Sequence, residues 1–316
     1  MKYDFTIIGA GVLDVLARPV DASVFRTGSS PAQDIAISFG GDALNEATIL
    51  GRLGKNVQFM TVLGQDDAGA MILEHLKRSR IPTDCVVQST DFPTGINLVL
   101  VDEHGERSFI TNPNSSLRML APEHINPDRF SLAPILCFAS IFVSPRFTPQ
   151  DLAVIFRQAK ERGCIVCADM TKRKHQETLD DLSRALSYVD YIFPNYEEAC
   201  LISGKQDPDE AADAFLAHGV GCVVIKLGAH GCLVKTASKR YLIPAWPHTN
   251  CIDTTGAGDN FAAGFLYALS EKMQLFACAQ FANAAASIAV ESVGATTGIQ
   301  SLEQILPRFA RMSRNP

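Results

Sequence analysis

The run of residues 253–264 combines groups that could bind an anion with a group that could move a proton. It reads Asp-Thr-Thr-Gly-Ala-Gly-Asp-Asn-Phe-Ala-Ala-Gly and leads into a predicted helix that begins near Ala257. The free N–H groups and the dipole of a helix start attract anions, and Gly256 and Gly258 let the backbone approach a phosphate closely. Asp259 would then take a proton from an attacking hydroxyl. The alternative is a tight turn in which Asp259 only caps the helix.

A second pattern opens another predicted helix with two glycines, Gly40 and Gly41. Asp42 and Asn45 follow in the first turns of that helix. An asparagine side chain both donates and accepts hydrogen bonds, so Asn45 is suited to recognising vicinal hydroxyls. An N-capped amphipathic helix would explain Asp42 equally well, but it explains the two glycines poorly.

The beginning of the chain resembles a dinucleotide-binding turn without completing it. Gly9 and Gly11 follow a predicted strand, but Asp14 stands where the third glycine of that fingerprint belongs. The third glycine lets the helix pack against the strand, and a carboxylate at this position would repel a pyrophosphate. A dinucleotide site is therefore not expected here.

Short apolar runs alternate with helical patterns along most of the chain. The predicted core strands are 5–9, 57–63, 135–142, 164–169, 188–193 and 222–227. The predicted helices are 43–53, 68–80, 149–162, 179–187, 210–218, 257–269, 275–290 and 301–311. Nearly continuous apolar strands are typical of a sheet that is covered on both faces, and the alternation predicts a mostly parallel α/β sheet.

Two segments, about 13–39 and 94–112, break this alternation. The second contains two strand patterns, 96–101 and 107–111, around a loop with a glycine, which predicts a hairpin. We expect both segments to form a small accessory sheet inserted over one edge of a single domain spanning 1–316. Because exposed sheet edges are usually covered, we also expect a homodimer through these accessory sheets.

Composition limits the class of protein. The 316 residues include 28 Lys and Arg against 34 Asp and Glu, a net charge of −6, with 47% apolar and 20% charged residues. These values are ordinary for a globular protein and exclude collagen-like, coiled-coil and disordered chains. The mild acidity argues against nucleic-acid binding, which needs a basic surface.

The start of the chain and the cysteines bear on the compartment. The first eight residues carry no signal peptide or membrane span, so we expect a cytoplasmic protein without membrane contact. Nine scattered cysteines are typical of reduced thiols. Cys164 and Cys167 lie three apart on a predicted strand and should face opposite sides, so no zinc or redox site is expected there.

Three patterns in order resemble the PfkB, or ribokinase-like, carbohydrate kinase family. They are Gly-Gly-x-x-x-Asn-x-Ala at 40–47, Leu-Gly-x-Asp-x-x-Gly at 63–69, and the run at 253–264. The resemblance covers essentially the whole chain. It implies a ribokinase-like three-layer α/β core with a mostly parallel sheet, plus a small β-sheet lid formed by the accessory segments.

The resemblance also implies a reaction, the ATP-dependent phosphorylation of a hydroxyl of a sugar or sugar acid. Asp259 would be the general base, and the backbone N–H groups of Gly256, Ala257 and Gly258 would form the anion hole. A nucleoside kinase of the same family is the main alternative, and a catalytically inactive binding protein of the kinase fold is another. The polar lid favours a sugar over a nucleoside.

The resemblance assigns further residues to the ligands. The substrate contacts would be Asp14, Gly40, Gly41, Asn45, Asn97, Arg107 and Asn112. The nucleotide contacts would be Asn195, Lys226, Gly228, Gly231, Gly258 and Asn283. Each of three nucleotide residues has a structural alternative: an N-cap for Asn195, a solvated strand end for Lys226, and a buried hydrogen bond for Asn283.

Two kinds of metal ion follow from the same resemblance. Glu198, with Asn195 beside it, would orient Mg²⁺ through water, as this ion prefers few carboxylates and many waters. A K⁺ site would use the backbone carbonyls of Asp253, Thr255, Ala289, Ser292 and Gly294. Many family members have a serine where this chain has Gly298, so K⁺ activation stays open. Lys172 or Lys174 would neutralise the transferred charge or belong to a solvated charge run.

Overall fold

A computed structural model describes residues 2–104 and 107–314 of the chain. Thirteen strands are formed within this part: β1 Phe5–Gly9, β2 Val12–Arg18, β3 Asp34–Gly40, β4 Val57–Gly64, β5 Val86–Ser89, β6 Ile96–Val101, β7 Arg107–Thr111, β8 Ile135–Ile141, β9 Ile165–Met170, β10 Tyr191–Ile192, β11 Cys222–Lys226, β12 Cys232–Thr236 and β13 Arg240–Ile243. The helices are α1 Val24–Thr27, α2 Asp42–Arg52, α3 Asp67–Arg78, α4 Ser116–Met119, α5 Pro149–Glu161, α6 Leu179–Leu186, α7 Tyr196–Ser203, α8 Pro208–Ala217, α9 Ala257–Ser270, α10 Leu275–Ala289 and α11 Leu306–Arg314.

Nine of the strands form one sheet in the order β13-β12-β11-β10-β9-β8-β1-β4-β5. The neighbours from β11 to β5 are parallel, whereas β12 and β13 pair antiparallel at one edge. Parallel strands bring their carboxyl ends to the same edge of a sheet, where open α/β folds bind ligands. The loops that follow β9, β10 and β11 therefore come together at that edge.

Helices cover both faces of this sheet, which makes three layers. On one face, Leu44 of α2, Phe261 of α9 and Phe281 of α10 pack into one buried cluster. On the other face, Phe156 of α5 and Phe215 of α8 pack into a second cluster. The three-layer core with a mostly parallel sheet confirms the expected fold class.

Successive side chains of a core strand point to opposite faces of the sheet, and both faces are buried, which explains why the core strands are apolar throughout. Phe59 and Leu63 of β4 belong to one cluster, and Met60 and Val62 belong to the other. Every residue of this strand is buried, because each face of the sheet carries a helical layer. The two cysteines near β9 follow the same rule, since Cys167 lies in the first cluster and Cys164 in the second.

The remaining four strands form a separate sheet in the order β3-β2-β6-β7. Strands β6 and β7 pair antiparallel, as the hairpin pattern predicted, and β2 joins them parallel to β6. One row of paired residues crosses the whole sheet and consists of Ser38, Asp14, Asn97 and Thr111. The accessory segments thus form one small sheet, and one of its rows is entirely polar.

Two predicted elements differ from the structure. The strand predicted at 188–193 is reduced to Tyr191–Ile192, because Tyr188 and Val189 close turns on the end of α6. The helix predicted at 301–311 begins as a short 3₁₀ turn, Leu302–Gln304, and α11 starts afresh at Leu306. Pro307 occupies an early position of α11, where its missing N–H is tolerated.

Strands β5, β12 and β13 were not predicted. Strands β5 and β13 are short strands at the two edges of the large sheet and have exposed positions, so their sequences lack the continuous apolar run of the central strands. Strand β12 lies between β11 and β13, and its buried apolar run is only three residues long, Cys-Leu-Val at 232–234. Within the described ranges 2–104 and 107–314, no helix is long and apolar enough to cross a membrane.

Candidate active site

Helix α9 begins at a glycine that no other residue could easily replace. Gly256 has a left-handed conformation with φ of 69°, and a Cβ atom there would lie 2.6 Å from the carbonyl oxygen of Ala295. Gly258 follows in the first turn, where the helix dipole is positive. The predicted anion hole uses the N–H groups of Gly256, Ala257 and Gly258. The Ala257 N–H already donates to the Thr254 carbonyl at 3.2 Å, so it is less available to an anion than the prediction assumes.

The loop before α9 is clamped to the segment 290–299. The carboxylate of Asp253 accepts hydrogen bonds from the Thr255 N–H at 2.8 Å, the Thr255 hydroxyl at 2.6 Å and the Gly294 N–H at 2.8 Å. The side-chain amide of Asn260 donates to the carbonyls of Gly256 and Ala295, both at 2.7 Å. These contacts fix the backbone at the helix start before any ligand binds.

Asp259 lies in the first turn of α9 and meets helix α2. The side-chain amide of Asn45 donates to Asp259 Oδ2 at 2.6 Å. Burial is the main cause that raises the pKa of Asp259 to about 8, and the neighbouring charge of Asp42 raises it further, while the hydrogen bond from Asn45 opposes both. In its deprotonated form, a carboxylate with this pKa is a stronger base than an ordinary aspartate.

A buried ion pair lies beside this helix start. Lys226, at the end of β11, donates to both carboxylate oxygens of Asp169 at 2.9 and 2.8 Å. A Cβ atom on Gly258 would lie 3.3 Å from the Lys226 ammonium, so the cation borders the start of α9. Burial lowers the pKa of Lys226, but the charges of Asp169 and Glu198 outweigh burial and raise it. The side chain is largely buried, so the solvated alternative for Lys226 is wrong.

Asn195 and Glu198 form a reciprocal cap at the start of α7. The Asn195 N–H donates to Glu198 Oε2 at 2.7 Å, and the Glu198 N–H donates to Asn195 Oδ1 at 2.9 Å. Asn195 also pairs with Lys226 across an isolated parallel bridge. Burial is the main cause that raises the pKa of Glu198 to about 7. The N-cap alternative for Asn195 is therefore confirmed, and it places both side chains next to Lys226.

The four-stranded sheet contributes Asp14 to the same region. The Asn97 side-chain amide donates to Asp14 Oδ1 at 2.8 Å, and a Cβ atom on Gly40 would lie 2.1 Å from Asp14 Oδ2. Only a glycine at position 40 leaves room for this carboxylate. Gly41, with φ of 92°, then turns the chain into α2, where Asn45 lies. Two of the three sequence patterns, 40–47 and 253–264, thus meet at the hydrogen bond from Asn45 to Asp259, and Asp14 lies against the first of them.

Comparison with known proteins agrees with this arrangement. The model of the pfkB family carbohydrate kinases matches residues 6–302. The chain belongs to this family.

Among individual proteins, the chain is similar to a ribokinase of Haemophilus influenzae, with 30% identity over 281 residues that cover 87% of this chain and 88% of the relative. It is similar to a 2-dehydro-3-deoxygluconokinase of Bacillus subtilis, with 26% identity over 272 residues and 83% of each chain. A solved ribokinase structure from Thermotoga maritima superposes with a TM-score of 0.82, 25% identity, and coverage of 98% of this chain and 99% of the other.

Two residues that the PfkB resemblance assigned to ligands form hydrogen bonds within the protein instead. Asn112 closes a turn, because its side-chain oxygen accepts from the Asn114 N–H at 2.9 Å. The side-chain amide of Asn283 donates to the carbonyls of Ile243 at 3.2 Å and Pro244 at 3.1 Å, as in the structural alternative. Arg107 lies on β7, but its side chain lies outside the described part of the structure.

The two glycines that the resemblance assigned to the nucleotide, Gly228 and Gly231, lie in the loop after β11. Gly228 and Gly231 have φ of 59° and 91°, and a Cβ atom on Gly231 would lie 2.0 Å from the Ile243 carbonyl oxygen. The loop after β11 is therefore tightly packed against β13 and lies next to Lys226.

Lys172, in the charge run, pairs with Glu197 at 2.5 Å on the surface.

Two of the carbonyls expected to bind K⁺ already accept hydrogen bonds within the protein. The Ala289 carbonyl accepts from the Ser292 N–H at 3.3 Å, and the Gly294 carbonyl accepts from the Thr297 hydroxyl at 3.2 Å. A Cβ atom on Gly298 would lie 2.8 Å from the Ile288 carbonyl oxygen, so the local backbone leaves no room for a serine. Among the described residues, no group of three or more His, Cys, Asp or Glu side chains could hold a metal ion.

Asp169 opens the charge run that contains Lys172 and Lys174, where the family resemblance implies an acidic residue followed by a cation, and it pairs with Lys226. Sequence analysis missed two other contributors to this PfkB site. Ser140 donates a hydrogen bond to Asp42, and Arg52 donates to the carbonyls of Thr296 and Ile299, the latter at 2.9 Å. Ser140 and Arg52 lie within ordinary strand and helix patterns, which carry no signal for such contacts.

Proposed function

We propose that the chain phosphorylates a hydroxyl of a sugar or sugar acid with ATP, and that Asp259 is the general base. The observation that carries this proposal is the placement of the Asp259 carboxylate, with its raised pKa, at the glycine-bounded start of α9 and within hydrogen-bond distance of Asn45. A base of this kind must lie beside both the hydroxyl and the phosphoryl group that it attacks.

Three groups of the protein act together in the proposed phosphoryl transfer. Asp259 accepts the proton of the sugar hydroxyl as its oxygen attacks the terminal phosphorus. The N–H groups at the start of α9, within 256–258, stabilise the charge on the transferred phosphoryl group. The Lys226 ammonium, which Asp169 holds beside Gly258, adds a positive charge at the same place. ADP leaves on the side of the loop that carries Gly228 and Gly231.

Mg²⁺ is proposed to accompany ATP near Glu198. The donor set fits this ion, because one buried carboxylate next to an amide oxygen supplies few direct ligands and leaves room for water. When bound, the ion would neutralise charge on the phosphates. Asn195 and Asn283 are proposed to border the nucleotide, and the carbonyls of Asp253, Thr255, Ala289, Ser292 and Gly294 are the proposed K⁺ ligands.

The four-stranded sheet is proposed as the substrate lid, inserted in a single domain by the segments 13–39 and 94–112. Its polar row, through Asp14 and Asn97, would contact the sugar hydroxyls, with Gly40, Gly41 and Asn45 at the start of α2. Arg107 and Asn112 remain proposed lid contacts. The nine free cysteines support the proposal of a cytoplasmic location.

A homodimer through the lids is part of the same proposal. The face of the lid opposite the polar row is apolar, and Ile35 and Ile37 expose 70% and 57% of their surface. Leu98 and Ile110 lie in the same row as Ile37 across the sheet. With Phe25, which exposes 77%, this face borders a groove of about 300 Å³. An apolar patch of this kind is typical of an interface.

The test is a screen for ADP release over aldoses, ketoses, sugar acids and nucleosides, with Asp259→Asn as the inactive control. We expect sugar-dependent ADP release from the wild type and its loss in the variant. Release with nucleosides alone would favour the nucleoside-kinase alternative. Failure to release ADP with every acceptor would contradict the proposed function and favour a binding protein that has lost catalysis.

A further inference from the structure

Asp42 lies on the same face of α2 as the residue that contacts the base. It is the first residue of the helix, and Asn45 follows three positions later, so their side chains are neighbours. Asn45 donates to Asp259, which brings Asp42 close to the base as well. The charge of Asp42 is the largest cause, after burial, of the raised pKa of Asp259.

Ser140 holds the Asp42 carboxylate from the opposite element. This serine is buried at the carboxyl end of β8, and its hydroxyl donates to Asp42 Oδ2. Asp42 forms no ion pair with any residue in the part of the chain that the structure describes. A carboxylate has about four acceptor positions. One hydrogen bond from Ser140 therefore leaves Asp42 with capacity to accept more.

A second observation points to a ligand at this place. The side-chain oxygen of Asn45 is buried and has no hydrogen-bond partner, although its amide nitrogen donates to Asp259. Buried acceptors are costly when they stay unpaired, so a hydroxyl group from a ligand would stabilise this arrangement. Asp42, Asn45 and Asp259 together present acceptors side by side, which suits a ligand with donors on adjacent carbons.

We propose that Asp42, held by Ser140, determines substrate specificity by accepting a hydrogen bond from a second hydroxyl, adjacent to the one that Asp259 deprotonates. This inference rests on the proposed sugar-kinase function and narrows the substrate to sugars with vicinal hydroxyls at the reacting end. The competing explanation is that Asp42 only stabilises the start of α2 through the helix dipole.

The experiment combines protein variants with altered sugars. The probe is whichever of D-ribose, D-fructose and 2-dehydro-3-deoxy-D-gluconate the wild type phosphorylates fastest, together with its monodeoxy analogues. Wild type, Asp42→Asn and Ser140→Ala are compared by kcat and KM on each. Asp67→Asn is the matched control, because Asp67 has the same charge in the first turn of α3 and is exposed.

On the parent sugar, we expect Asp42→Asn to lower kcat/KM roughly 10- to 100-fold, the usual worth of a hydrogen bond to a charged group. The wild type should lose a similar factor on the analogue that lacks the adjacent hydroxyl. On that analogue the variant should lose little more, because the contact is already absent. Ser140→Ala should show the same non-additivity with a smaller loss, and Asp67→Asn should match the wild type.

The pH profile supplies a second measurement. The charged groups that face Asp259 are Asp42 and Glu46 from α2, Asp169 from β9 and Lys226 from β11. Removing the negative charge at position 42 lowers the pKa of Asp259. The acid limb of kcat/KM should therefore move to lower pH in Asp42→Asn.

Three results would overturn the proposal. Additive losses for Asp42→Asn and the deoxy analogues would show that Asp42 does not touch the adjacent hydroxyl. A lower melting temperature with unchanged kcat/KM would leave Asp42 as a helix-start residue only. If Asp42→Asn does not fold, additivity in Ser140→Ala decides against the proposal in the same way. A wild type that releases no ADP with any acceptor of the screen would instead contradict the proposed function itself, and this result is distinguishable because the other three all require an active wild type.

Discussion

The carboxyl edge of the large sheet and the four-stranded sheet treat their side chains in opposite ways. At the carboxyl edge, Asp169, Lys226 and Glu198 are largely buried, and each takes part in two hydrogen bonds with a neighbouring residue. In the four-stranded sheet, large apolar side chains such as Ile35 and Ile37 are exposed. Buried charges must be paired to persist, whereas exposed apolar groups gain free energy only when something covers them.

This difference indicates that the two regions serve different steps. The buried charged side chains lie on elements that two helical layers hold in place, so these side chains are fixed before ligands bind. Groups that would recognise the sugar, such as Asp14 and Asn97, lie on a sheet with one exposed face. Variants at the carboxyl edge should therefore change the chemical step and stability, and variants in the small sheet should change sugar binding and assembly.

The largest effect is expected for Asp259→Asn. If Asp259 is the general base, as proposed, its loss should lower kcat roughly 10²–10⁴-fold, the usual contribution of general base catalysis. The variant should fold and bind ATP normally, since the amide can still accept the hydrogen bond from Asn45. Steady-state kinetics and calorimetric titration with ATP check both points. Turnover close to that of the wild type would show that another group is the base.

Asp14→Ala tests whether the four-stranded sheet contributes to sugar binding. Loss of charge-assisted hydrogen bonds to the sugar should weaken sugar binding roughly 10²–10³-fold. ATP affinity and the melting temperature should hardly change. Asp34→Ala is the control, because Asp34 lies in the same sheet and forms only an exposed pair with Arg18. Equal weakening of sugar and ATP would make Asp14 a structural residue and remove the distinction between the two regions.

The pH dependence should belong to the carboxyl edge alone. Because the base must be deprotonated and the pKa of Asp259 is raised to about 8, kcat/KM should fall about tenfold per pH unit below that value. Asp14→Ala should keep the same acid limb at a lower overall rate. A profile measured from pH 5.5 to 9 checks this, and a rate that stays constant down to pH 5.5 would contradict the raised pKa.

The same pKa has a consequence for stability. The ordinary pKa of an aspartate is 3.8 and that of folded Asp259 is about 8, so the folded state binds the extra proton between these values. The contribution of Asp259 to stability is therefore complete below pH 4 and is lost as the pH rises through 8. Asp259→Asn should lack this decline when the two proteins are unfolded in urea at pH 6 and pH 9.

Parts of this site could be predicted from the sequence when the interacting residues lie close together along the chain, and could not when they lie far apart. The run 253–264 and the helix start at 40–47 are local patterns, so their roles in backbone geometry were visible in the order of residues. The pair of Ser140 with Asp42 spans 98 positions, and that of Lys226 with Asp169 spans 57. Such contacts arise only when strands are ordered in the sheet, and no periodicity encodes them.

The central strands were predictable for the same physical reason, because burial on both faces demands continuous apolar runs. Edge strands such as β13 have one solvated side and lack that signal. The turn at 188–190 was also hidden, since Val189 is buried like a strand residue although it closes the end of α6. Burial and strand formation coincide in the centre of the sheet and separate at its margins.

Arg52→Met should show that the carboxyl edge depends on distant support. The Arg52 guanidinium donates to the carbonyls of Thr296 and Ile299 and so joins α2 to the segment that clamps α9. Losing these bonds should cost about 1.5–3 kcal/mol in the free energy of unfolding, measured in urea. The control Arg78→Met removes an exposed i,i+4 pair and should cost about 0.5 kcal/mol or less. Equal costs would contradict a positioning role for Arg52.

The smallest effect on catalysis is expected for Ile37→Glu, which places a charge on the exposed face of the lid. If two lids cover each other, a buried unpaired carboxylate at the interface should separate the dimer. Light scattering at micromolar concentration should then give twice the mass of one chain for the wild type and the mass of one chain for the variant.

Leu242→Glu is the matched control for this charge. Leu242 is exposed by 55%, close to the 57% of Ile37, but it lies on β13 of the large sheet. Because a surface substitution away from the core usually changes stability by about 0.5 kcal/mol or less, neither variant should unfold the monomer. A wild type that is already monomeric would contradict the dimer, and separation by Leu242→Glu instead would place the interface on the large sheet. Only dissociation confined to Ile37→Glu supports the view that the exposed apolar face serves assembly while the polar row on the opposite face serves the sugar.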